Sequence, residues 1–164
     1  MLRYLLLFTF LFVSGSQTYA QTDSVSVQKK KVLLAYEKTE FKTALIKEMA
    51  AILKKDSIEY AVIEHSNGAL DKEDPLNYGA IFISNSGVNS QLRPWINEWL
   101  KKNEKYSSKT ILHTTQIRDW KVEAPVDAVT SASNRKEMKK FAAKYVDMVK
   151  KRLTSTQEPQ SSDE

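Results

Sequence analysis

The sequence predicts an α/β domain built on a five-stranded parallel sheet. Two observations predict it. Short, continuous apolar runs lie at 32–36 and 79–83, as in strands buried on both faces of a parallel sheet. Between them lie stretches whose apolar residues fall at helical spacing, so that strands and helices alternate.

The chain has 164 residues, and residues 1–20 are set aside first. Arg3 gives a short positive start, 4–13 is an apolar core interrupted by Thr9, and Thr18-Tyr19-Ala20 is a small-x-small cleavage pattern. This is a secretory signal, too short to span a membrane. Export to the periplasm or medium is the expectation, with no transmembrane segment after cleavage. Residues 21–30 are polar and read as a flexible leader, 31–153 as one domain, and 154–164 as a disordered tail.

Within the domain, 32–36 is the first strand. Phe41, Leu45, Ile46, Met49 and Leu53 mark the helix after it. The second strand is 59–63 and the third 79–83. Leu92, Trp95, Ile96, Trp99 and Leu100 follow the i, i+3, i+4, i+7, i+8 template of an amphipathic helix. The fourth strand is 110–114, and 126–130 is a weaker fifth. Met138, Phe141, Ala142, Tyr145, Val149 and Leu153 form the closing helical stripe, with Asn134 as its N-cap and Glu137 at the capping-box position. The connections at 64–78 and 115–125 have room for little helix, and the second is short for a parallel crossover.

Cysteine is absent, which excludes disulfides, thiol catalysis and zinc–thiolate sites. The formal charge is +5, and the last helix is the most basic segment. A weak contact of that helix with an anionic surface follows from its charge. Nucleic acid is not an expected partner, because no known binding module is present. The partner is an unidentified protein or small molecule.

Three stretches carry a resemblance. The first is 36–43, Tyr-Glu-Lys-Thr-Glu-Phe-Lys-Thr. The second is 78–84, Tyr-Gly-Ala-Ile-Phe-Ile-Ser, with the Pro94-led helix of 92–100. The third is 126–133, Val-Asp-Ala-Val-Thr-Ser-Ala-Ser. Together they resemble the flavodoxin-like family across 31–153. The resemblance implies a three-layer sandwich with strand order 2-1-3-4-5 and reduced helices after strands 2 and 4. It also implies where flavin mononucleotide (FMN) would sit: at Lys38, Thr39, Lys42 and Thr43 of the phosphate loop, Asn85, Ser86 and Gly87 after the third strand, and Thr115 and Trp120 after the fourth. Glu37 falls where the family has its first hydroxyl, Glu40 where it has glycine, and Lys42 at a later hydroxyl. Carboxylates beside a phosphate repel it, by roughly 1–4 kcal/mol at about 4 Å. The 85–91 loop has no aromatic residue to stack on a flavin ring.

The expectation is therefore an exported binding or accessory module with a degenerate FMN site, no cofactor and no enzymatic activity. One alternative is an electron-transfer flavoprotein holding FMN without a covalent bond, or covalently at Ser133, since 127–133 resembles a flavinylation motif. A second is a hydrolase-like enzyme using His113; no Gly-x-Ser-x-Gly elbow is present. Glu37, Glu40, Asp119 and His113 are expected to converge as an acidic pocket at the sheet edge. His65 with Glu64 is a weak metal candidate, and no metal is expected.

Overall fold

The computed structural model describes residues 31–66, 68–89, 91–116 and 122–155. The two ends of the chain and Asp119 and Trp120 lie outside the described residues. Five parallel strands form one sheet: β1 (Lys31–Tyr36), β2 (Tyr60–Glu64), β3 (Tyr78–Ser86), β4 (Thr110–Thr115) and β5 (Asp127–Ser131), in the order β2-β1-β3-β4-β5. The helices are α1 (Glu40–Lys55), α2 (Pro94–Lys102) and α3 (Met138–Ser155). Two short 3-10 turns, Leu70–Lys72 and Pro75–Asn77, replace a full helix between β2 and β3. The described part of the β4–β5 connection contains no helix.

The sheet is covered on both sides. Val32, Leu34, Ala80, Phe82 and Ile111 face α1 and α3, where Leu45, Met49, Tyr145 and Val149 complete one core. The alternate residues Leu33, Ala35, Ile81, Ile83 and Leu112 face the other way. There they meet α2 through Ile96, Trp99 and Leu100, and the 3-10 turns through Leu70. A strand alternates faces residue by residue, so each central strand supplies both cores, which explains its unbroken apolar run.

Several boundaries differ from the sequence reading. β3 extends to Ser86, past its apolar run, because Ser84, Asn85 and Ser86 still pair with His113, Thr114 and Thr115 of β4. The Asn134 carboxamide accepts from the Lys136 N–H and caps a 3-10 turn, Arg135–Glu137, rather than α3 directly. Leu92 is buried but precedes α2, whose first residue is Pro94. Trp95 is half-buried, its ring edge-on to His65, while Trp99 lies in the core as its spacing predicts.

Candidate functional site

The carboxyl ends of β1 and β3, where the strand order changes direction, are where open α/β sheets bind ligands. Tyr36 ends β1, and the Glu37 N–H donates to the Ser84 carbonyl of β3 (2.8 Å). This hydrogen bond fixes Glu37 over the crevice. The Thr39 hydroxyl accepts from the Lys42 N–H and serves as the N-cap of α1.

Lys42 lies on the buried stripe of α1 with Leu45, Ile46 and Met49 and is 1% exposed. Its ammonium donates to the Glu37 carboxylate (3.3 Å) and to the Ser86 hydroxyl (2.7 Å). The other Glu37 oxygen accepts from the Arg93 guanidinium (2.6 Å). One carboxylate thus bridges two cations from different elements. Desolvation pushes the Glu37 carboxyl upward, but the Ser86 hydroxyl and the Lys42 and Arg93 charges outweigh it and hold the group below its ordinary value. Desolvation also pushes the Lys42 ammonium below its ordinary value, with Glu37 opposing.

Beside this cluster, His65 Nε2 lies 3.0 Å from the Ser84 carbonyl. A carbonyl only accepts, so Nε2 carries the proton and Nδ1 is a bare lone pair. Nδ1 is buried without a hydrogen-bond partner. Burial holds the imidazole below its usual value.

On the α1–α3 side, a polar ladder crosses the sheet beneath the edge. His113 Nδ1 meets the Ser84 hydroxyl and Nε2 the Ser131 hydroxyl, each at 2.8 Å. The Tyr145 hydroxyl of α3 bonds Ser131 in turn. His113 is fully buried against the rings of Phe82 and Tyr145, which also meet each other. Desolvation, with Lys42 adding to it, pushes its imidazole down to about 3, so it is neutral across the physiological range.

The expected acidic pocket is not formed by the described members. His113 faces the core, and Glu40 is exposed and paired with Arg135 at the start of the last helical segment. Of those members, Glu37 alone overlooks the crevice, and it is charge-compensated. Glu64 pairs with Lys38 (3.0 Å), and no three metal-ligating side chains cluster among the described residues.

Of the residues named for a cofactor, the structure brings together Thr39, Lys42, Asn85, Ser86, Gly87 and Thr115. The Gly87 N–H donates to the Thr115 carbonyl (3.1 Å). Lys38 and Thr43 are exposed on the outer side of the α1 start, and Ser133 is exposed between β5 and the 3-10 turn. Trp120 lies outside the described residues. Arg93 was not named from the sequence, and His65 only as a metal candidate with Glu64. Arg93 is 56 positions from its partner Glu37, and no local pattern links the two. Lys42 did carry a signal: it is a lysine within the apolar stripe of α1.

No protein-family model matches the sequence, and no curated protein is similar to it in sequence. Solved structures are similar in fold. A flavodoxin from the domain Archaea is 11% identical with a TM-score of 0.53, over 74% of this chain and 98% of that one. The flavodiiron protein from Giardia intestinalis is 11% identical with a TM-score of 0.52, over 77% of this chain and 36% of its own. The metal-soaked Flv1 flavodiiron core from Synechocystis is 14% identical with a TM-score of 0.54, over 79% and 37%. The chain has the flavodoxin-like fold, with the strand order that the resemblance implied.

Proposed function

We propose that this chain is a flavodoxin-like binding or accessory module in which an internal carboxylate stands where flavodoxin-like proteins hold a phosphate. The observation that carries this reading is the enclosure of Lys42. Its ammonium is 1% exposed and already held by Glu37 and Ser86. The Thr39 hydroxyl oxygen accepts from the Lys42 N–H as the cap of α1, and one arm of Arg93 is held by Glu37. The residues at this position therefore do not fit an FMN phosphate. A dianion entering here would meet Glu37 as a like charge. Displacing Glu37 would in turn strip a buried ammonium of its counter-ion, which costs several kcal/mol.

The direct test is titration of the purified protein with FMN, read by quenching of flavin fluorescence. No saturable quenching is expected. The Glu37→Ser variant, which frees Lys42 and Arg93 for an external anion, is expected to gain affinity for FMN and for inorganic phosphate. A yellow protein on purification, or saturable quenching by the unaltered chain, overturns the reading and favours an electron-transfer flavoprotein. The same reading includes export, with the secretory signal of residues 1–20 removed after Ala20. Intact mass of protein recovered from an export host measures this.

A further inference from the structure

We propose that the α2 side of the same sheet edge binds a small uncharged ligand bearing a carboxamide or cyclic-amide group, recognised by Asn85, Thr114, His65 and Arg93. This inference rests on the reading that the phosphate position is closed, and it names what the edge takes instead.

Asn85 and Thr114 are register partners on β3 and β4. They lie on the face that presents Ile83 and Leu112 to α2. Both are 0% exposed. Neither end of the Asn85 carboxamide nor the Thr114 hydroxyl has a hydrogen-bond partner. The Ser84 carbonyl, one residue before Asn85, holds His65, whose ring meets Trp95 of α2 edge-on at 4.8 Å. His65 Nδ1 and Arg93 Nε are also buried and unpartnered. Arg93 is the N-cap residue of α2, and its side chain does not cap the helix.

Buried polar groups in native proteins are paired almost without exception, and each unpaired one needs a reason. Apolar residues at these positions would serve the fold better, as Ile83 and Leu112 do two residues earlier on the same face of the two strands. The chemistry of the unpaired set defines the ligand. Asn85 Nδ2 and Arg93 Nε donate, Asn85 Oδ1 and His65 Nδ1 accept, and the Thr114 hydroxyl does either. A carboxylate would set its oxygens against two acceptors, and an ammonium would leave two donors unmet. An amide carries an N–H and a carbonyl side by side and answers both. Neutrality also suits an edge where Glu37 already engages both nearby cations.

The test uses the isotope-labelled protein and two matched pairs of probes: acetamide against acetate, and nicotinamide against nicotinate. Because Asn85 and Thr114 are fully enclosed, the complex forms on local opening of the edge, and separate free and bound signals are expected. At least one amide should shift the Asn85 side-chain NH₂ and Thr114 signals saturably. Its matching carboxylate should bind about tenfold more weakly or worse, since polar groups left unpaired reject a mismatched ligand strongly. Asn85→Leu and Thr114→Val should each abolish the shift. If Asn85→Leu does not fold, Thr114→Val decides. No saturable shift with either amide, equal binding of amide and acid, or unchanged binding by Thr114→Val overturns the inference. FMN added to the same sample separates the two readings. FMN binding removes the closed-phosphate reading, whereas failure of amides and FMN alike removes this inference alone.

Discussion

Lys42 occupies a position that helix spacing reserves for a hydrophobic residue, and the edge of the molecule is organised around that exception. A buried ammonium is tolerable only while its carboxylate is present. Glu37→Ala is therefore expected to destabilise the fold by about 3 kcal/mol in urea denaturation. The double variant Glu37→Gln with Lys42→Met, which removes both charges, should recover most of that loss. His113 makes the second residue-scale prediction. Its imidazole titrates near 6.5 when unfolded and near 3 in the fold. Between those values the unfolded chain binds the extra proton, so its contribution to stability is whole above pH 6.5 and erodes as pH falls toward 3. The slope should approach 1.4 kcal/mol per pH unit, roughly, for this one group. His65, also lowered by burial, adds in the same direction. Denaturation midpoints of the unaltered chain and of His113→Gln at a series of pH values check this: the variant should show a shallower acid slope.

At the scale of elements, α1 and α3 form one layer. Parallel strands give these two helices the same direction. Arg135 pairs with Glu40 at one end of the layer, and Lys150 with Asp56 at the other. Leu45 is 0% exposed between the sheet and this layer, and Leu45→Ala should cost about 2–5 kcal/mol by chemical denaturation. The 3-10 turn before α3 carries exposed Lys136, and α3 itself carries exposed Lys139 and Lys144. If this segment meets an anionic surface, vesicles containing anionic lipid should retain the protein at low salt and release it as salt rises. Neutral vesicles should not retain it. These helices were legible because their stripes are long and nearly unbroken. The start of α3 was not, because Asn134 can cap either a 3-10 turn or an α-helix, and only the chain path beyond it decides. The end of β3 was missed for a different reason: polar Ser84, Asn85 and Ser86 end the apolar run while the hydrogen-bonded ladder continues.

At the scale of the whole molecule, the parallel sheet and its two covering layers follow from alternation in the sequence, and the strand order from the family resemblance. The candidate site was legible in part. Glu37 and Lys42 were visible as exceptions to a phosphate loop. Their partner Arg93, and the approach of His65 to Ser84, depend on crossovers that bring distant segments to one edge, and no local spacing encodes them. The ladder from Ser84 through His113 and Ser131 to Tyr145 has a consequence for how the sheet assembles. Side chains alternate faces, so a one-residue slip of β5 turns Ser131 away from His113 and leaves a sealed imidazole nitrogen without its hydroxyl. Slippage between β3 and β4 similarly removes Ser84. A sheet held by apolar contacts alone would tolerate such misalignments more readily. Here one histidine checks three strands at once, and it makes errors of alignment costly in the arrangements that would otherwise compete most closely with the native one.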